Sequence, residues 1–223
     1  MGDSRWERLA PLAGVDYVVL LVVGLLVMGG PDILAPADEI VDHYTEDFER
    51  VRVGGYLGML AVFFFLWFVG SLRSFLRPAE GGTGRLSAVA FGGGVAAGAL
   101  YLASFTMSLA ATYRADEPGG IGSEAATTLF DFGGFLSGWA ASMALAVLMA
   151  ATAVVGFRTA VLPGWLAWVT ALIAVGLLAG PFARIVHFVF LAWVVFMSVS
   201  LYLQWVPTRA APTTPSTWTP ERE

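Results

Sequence analysis

DEIVDHYTEDFERVRVGGYLGMLAVFFFLWFVGSLRSFLR, residues 38–77, decides the fold class of this chain. Its first half places Ile40, Val41, Tyr44, Phe48 and Val51 at spacings of three and four, one apolar stripe on a helix. Asp42, His43, Glu46, Asp47, Glu49 and Arg50 take the remaining positions. The spacing predicts an amphipathic helix over about 37–52. Pro36 stands at its start, and Asp38 and Glu39 lie near the positive end of its dipole. The second half, residues 53–72, carries no charge and matches the ~20 apolar residues needed to cross a bilayer, before Arg73 and Arg77 stop it. A charged surface helix thus feeds directly into a membrane span. Its polar face is acidic, unlike the basic face of most lipid-surface helices, so it is expected to cap the bundle.

Composition agrees. Of 223 residues, 57% are hydrophobic and 13% charged, and the mean hydropathy is +0.74. Soluble domains carry about 25% charged residues, so the bilayer and the helix contacts within it supply the core. With no cysteine, disulfides, thiolate metal sites and cysteine nucleophiles are excluded. A formal charge of −5 and the lack of a dense basic patch argue against nucleic acid as a partner.

Outward from the opening stretch, the pattern predicts an all-α, six-span transmembrane bundle forming one domain over 1–206. Its spans fall at about 12–30, 53–76, 86–112, 127–157, 160–180 and 185–206, followed by a disordered cytoplasmic tail at 207–223. The first apolar run, Tyr17 to Gly30, is short, which puts Asp16 at the inner boundary. A cleaved signal peptide is the rival reading there, since Ala35-Pro36-Ala37 resembles a cleavage site. Ser123 is a candidate N-cap, and Gly133-Gly134 a candidate break in the fourth span. With the N-terminus inside, Arg5, Arg8, Arg73, Arg77, Arg85, Arg158, Arg209 and Arg222 fall in the cytoplasm, while Arg50, Arg52, Arg114 and Arg184 fall outside. Both termini are therefore expected inside, with the acidic helix outside.

The stretch 38–77, together with LPGWLAWV at 162–169, resembles a group of multi-pass membrane proteins of unknown function common in actinobacteria. The resemblance is strongest over 37–95 and implies location in a bacterial cytoplasmic membrane and a similar topology. It implies no catalytic residues.

Several groups are candidates for chemistry. Glu39, His43 and Asp47 recur every four residues, so a helix puts them on one face. One imidazole and two carboxylates suit a divalent metal such as Zn²⁺. Asp131, Arg184 and His187 could face them from other outer ends. A solvated charged face is the competing reading, and His43 and His187, the two histidines of the chain, are weak metal candidates. His187 is ionisable and lies in or beside a span, which by itself makes it a functional candidate. Its nearness to Arg184 suits interface depth. Asp16 is expected to pair with Arg73 at the cytoplasmic boundary or to cap the first span. Gly54/Gly58, Gly94/Gly98, Gly134/Gly138 and Gly176/Gly180 have the spacing of close helix contacts, either within the chain or in a homodimer.

These features order three function classes. A non-enzymatic membrane protein comes first, acting through partner proteins or a small apolar ligand held at the outer face, with no cofactor expected. A channel or transporter for a small solute, with a path along Ser104, Ser108, Ser137 and Ser142, comes second. A membrane-embedded metalloenzyme comes last. The lipid bilayer, a second copy or another membrane protein are the expected partners.

Overall fold

A computed structural model describes residues 10–179 and 183–205, with backbone only at 183, 184, 204 and 205. The expected tail at 207–223 and Gly180 lie outside the described residues. All regular structure among the described residues is helical. A 3₁₀ turn, Ala10–Leu12, leads into α1 (Ala13–Met28). Then follow α2 (Ala37–Glu46), α3 (Phe48–Glu80), α4 (Arg85–Asp116) and α5 (Ser123–Phe135). A π-helical turn, Leu136–Ala140, joins α5 to α6 (Ala141–Thr159), and α7 (Gly164–Leu178) and α8 (Ala183–Trp205) complete the bundle.

Five segments are long and apolar enough to cross a membrane: Ala10–Met28, Phe48–Glu80, Arg85–Asp116, Ser123–Thr159 and Ile185–Leu203. The sixth expected span, α7, is apolar but has only 15 residues, about 22 Å of helix against a hydrocarbon core of about 30 Å.

The helices pack in the order α1, α3, α4, α6, α7, and α8 closes against both α1 and α7. The core is built from Tyr17, Phe65, Phe68, Leu145, Met149, Leu177 and Phe190, all fully buried. Glycines set the closest approaches. A Cβ at Gly54 would stand 2.6 Å from the Gly24 carbonyl oxygen and 2.7 Å from the Met28 nitrogen. There α1 and α3 meet backbone to backbone, as small residues permit where lipid offers no hydrophobic drive. Gly94 and Gly98 face Val69 and Leu66 of α3, while Gly93 faces the backbone of α6. Two of the predicted glycine pairs therefore pack inside the chain. Gly134 meets Ile33, Gly138 has nothing within 4 Å, and Gly176 meets Val186 of α8.

Local chemistry explains the element ends. The stretch expected as one helix over 37–52 is two. α2 ends at Glu46, Asp47 adopts φ −95°, ψ 20°, and residues 48–52 belong to α3. This single non-helical residue separates α2 from α3. At the other end of α3, Gly81 and Gly84 take positive φ (66° and 64°) to make the turn. The Glu80 carboxylate then accepts from the Leu86 and Ser87 amides at 2.7 and 2.8 Å, capping α4. Gly122, not Ser123, occupies the N-cap position of α5, without a side-chain cap bond. The expected break at Gly133-Gly134 is a π turn just beyond it. Its neighbourhood is pinned by Ser104 of α4, whose hydroxyl donates to the Gly133 carbonyl at 2.8 Å.

Candidate functional site

The α2 side chains form a second, smaller core at one end of the bundle. Ile40 and Tyr44 are fully buried with Val51, Ala111 and Ala126. At about 1.5–3 kcal/mol for each large side chain removed from water, these two residues hold α2 on the protein. The stripe read from the sequence thus faces α5 and its neighbours.

His43 lies beside this core at 7% exposure. Its ring is 5.4 Å from Tyr44 and meets Phe130 of α5 edge-on at 6.2 Å. Gly30 closes the other side, where a Cβ would stand 3.1 Å from the imidazole. Nδ1 is 3.7 Å from Asp47 Oδ2, and Asp47 Oδ1 accepts from Arg50 Nη1 at 3.2 Å. Burial lowers the His43 pKa below 6.5, an effect that Asp47 opposes only in part. The imidazole therefore sits neutral in an aromatic slot, with Asp47 shared between it and Arg50.

Asp131 belongs to the same layer. Its Oδ1 accepts from the Leu34 amide at 3.0 Å, holding Leu34 at φ 67°, a left-handed conformation uncommon for a leucine. The Tyr44 hydroxyl is buried with no hydrogen-bond partner. The Ser108 hydroxyl acts on it in the sense that lowers its pKa, against the effect of burial. Burial, aided by Asp131, pushes the phenol up to about 12.

The predicted cluster is thus partly assembled. His43 and Asp47 touch, Asp131 follows Phe130, whose ring packs on His43 and Tyr44, and Glu39 is exposed on the first turn of α2. The Arg184 side chain lies outside the described residues. Among the described residues, no group of three or more His, Asp or Glu side chains is placed to hold a metal ion.

His187 takes part in a different arrangement. Its Nε2 is 3.0 Å from the Tyr101 hydroxyl of α4, and Tyr101 is buried at 7% exposure. Tyr101 was absent from the residues marked in the sequence; the only available signal was a lone tyrosine half-way along an apolar span. The expected Asp16–Arg73 pair does not form among the described residues. Asp16 is exposed in the first turn of α1, and the Arg73 guanidinium lies over the Phe91 ring at 5.0 Å with its Nε buried and unpaired.

Three of the four serines expected along a path are engaged with backbone. Ser104 donates to Gly133, Ser137 to Gly133 and Gly134, and Ser142 to Gly138. Sequence reasoning also missed two lateral crevices. One, of about 630 Å³, is lined by Ala10, Pro11, Phe63, Trp67, Gly70 and Leu201, with Ser71 and Ser74 at its edge. The other, of about 260 Å³, lies between α3 and α4 at Arg52, Tyr56, Leu109 and Tyr113.

No protein-family model, curated protein or solved structure matches the chain.

Proposed function

We propose that this chain is a six-span, non-enzymatic protein of a bacterial cytoplasmic membrane that binds a lipophilic molecule in a groove on the side of its bundle. In this reading α7 is the fifth span, both termini are cytoplasmic, and α2 and α5 form an outer cap. Arginine placement supports that orientation: Arg73, Arg77, Arg85 and Arg158 gather at one end, and the acidic α2 stands at the other.

One observation carries the binding reading. The 630 Å³ groove falls in the size range of small-molecule sites, about 300–1,000 Å³. It opens between Phe63 and Trp67, both more than half exposed. Gly70, with nothing within 4 Å, forms its notch. An occupant there meets apolar walls and two serine hydroxyls, the chemistry of a lipid chain beside its polar linkage. This reading puts the ligand on the half of α3 nearer Arg73 in preference to the expected outer face, where the crevice is about 260 Å³.

Native mass spectrometry from mild detergent, with a bacterial lipid extract added, tests this. The expected result is a retained lipid or lipophilic molecule that is lost in Gly70→Leu, which fills the notch. Wild type and Gly70→Leu retaining the same adducts would overturn it.

A small-solute carrier is the second reading, favoured by the Tyr101–His187 pair, since an ionisable side chain inside a membrane bundle marks a pathway more often than a packing element.

A further inference from the structure

The groove beside α3 is about as deep as one leaflet of a bilayer. Its α3 wall runs from Phe63 to Ser74, about 16 Å of helix, against about 15 Å for half of a hydrocarbon core. Phe63 stands at the middle of the charge-free stretch 53–72. In a helix that crosses a bilayer, the wall therefore starts near the midplane and descends toward the arginine end. A compact ligand needs only part of that length, whereas an acyl chain uses all of it.

The lower end of the groove meets a cation. Phe63, Trp67, Gly70 and Ser74 succeed one another by four, three and four residues, and Arg77 follows after three more. On a helix these positions form one stripe, with Arg77 about 4.5 Å below Ser74. Phe63 to Arg77 covers about 21 Å, roughly half the thickness of a bilayer with its headgroups. The guanidinium is thus level with lipid phosphates. Arg77 is exposed, its stem lies against Gly84, and it makes no ion pair among the described residues. Glu80, the acid one turn away, is taken up by the Leu86 and Ser87 amides. Arg73 is turned to Phe91 of α4, which leaves Arg77 as the guanidinium on the stripe. The Ser71 and Ser74 hydroxyls donate to the Trp67 and Gly70 carbonyls of their own helix at 3.0 and 3.1 Å. With their protons so engaged, they are small neutral wall groups and do not hold an anion.

We propose that the groove holds a phospholipid with a net negative headgroup, such as phosphatidylglycerol, from the leaflet at the arginine end. One acyl chain lies along Phe63, Trp67 and Leu201, and the other stays in the surrounding bilayer. The ester linkage passes the Gly70 notch and Ser74, and the phosphate sits at Arg77. The inference rests on the groove reading above and adds to it the headgroup and the cation that selects it. A zwitterionic headgroup brings an ammonium to the same guanidinium, which offsets the attraction of its phosphate.

The test offers full-length protein in mild detergent an equimolar mixture of phosphatidylglycerol and phosphatidylcholine with identical chains. Native mass spectrometry reads the lipid retained. Wild type is expected to prefer phosphatidylglycerol by about fivefold, the weight of one arginine beside an anionic lipid surface. Arg77→Gln brings the ratio close to one and Arg77→Lys keeps it. Arg85→Gln, at the start of α4 and off the stripe, leaves it unchanged. Gly70→Leu loses both lipids, and glycerol phosphate, an anion with no chain, displaces neither. Equal retention of the two lipids by wild type, with both lost in Gly70→Leu, overturns the headgroup inference and leaves the groove reading standing. An equal fall in Arg85→Gln and Arg77→Gln overturns the assignment to Arg77, and displacement by glycerol phosphate overturns the lipid. A monomer or dimer that carries no lipid, or a Gly70→Leu protein that binds both lipids as wild type does, overturns the groove reading itself.

Discussion

Gly54→Ala is the sharpest probe of how this bundle is held. The added methyl would sit 2.6 Å from the Gly24 carbonyl oxygen and 2.7 Å from the Met28 nitrogen. Both are backbone atoms of α1, so no side chain can swing aside and the helices must separate. Overpacking of this kind destabilises by about 1–3 kcal/mol. Gly92→Ala is the matched control. It also lies inside a long helix but has nothing within 4 Å, so relief of glycine's backbone entropy leaves it neutral or up to about 1 kcal/mol more stable. The two variants should differ by about 1–4 kcal/mol, a ratio of unfolding constants of about fivefold or greater. Denaturant unfolding of the purified protein in mixed micelles, followed by tryptophan fluorescence, measures that difference. Equal stability of the two would mean that α1 and α3 do not touch at Gly24 and Gly54, and the packing order would have to be redrawn.

The layer formed by α2 and α5 carries a pH dependence. Because burial holds the His43 pKa below its unfolded value of about 6.5, the unfolded state binds more protons at acid pH. The cap's stability is full above that value and declines as pH falls through the lower folded value. Hydrogen exchange of α2 amides, corrected for intrinsic rates, should accelerate on acidification in wild type and lose that response in His43→Gln. Between α7 and α8, the buried Trp193 indole donates to Thr170 Oγ1 at 2.9 Å. Thr170→Val leaves that donor unpaired, so it should destabilise by about 1–3 kcal/mol, with Thr170→Ser close to wild type in the same unfolding assay. Glu80→Ala uncaps α4 and should speed exchange at the Leu86 and Ser87 amides while leaving the middle of α4 unchanged.

Much of this architecture was legible in the sequence because bilayer thickness and helical periodicity act locally. The charge-free run at 53–72 and the stripe Ile40–Tyr44 are each recognisable without knowledge of any neighbour, and each lies within or at the end of a helix of the expected kind. The turn at Asp47 was not visible, since the apolar spacing runs through it unchanged; only packing against α5 shows that the helix axis changes there. The site was less legible for the same reason. Spacing put His43 near Asp47, which is local, and placed Asp131 with them only as a possibility. Spacing sets His187 beside Arg184, a neighbour in sequence, whereas its hydrogen-bond partner Tyr101 lies 86 positions away. Asp16 and Arg73 have opposite charges at one end of the bundle, but helix rotation turns Asp16 outward and Arg73 toward Phe91. The glycine pairs show the limit most directly: the same spacing is a contact at 54 and 58 and open space at 138.

The π turn at Leu136–Ala140 has a consequence for how this chain tolerates length changes. A π turn holds one residue more than the helical turn it replaces. Deleting a residue there would not break the helix; it would restore a continuous one. The wide turn already absorbs the extra residue, so the helices on either side would keep nearly their present rotation. Asp131 would stay on the Leu34 amide and Phe130 in the His43 slot. A deletion within the regular turns of α6 would instead rotate everything before it by about 100°. The π turn is therefore the one place along this segment where a residue can be lost and the α2–α5 contacts kept.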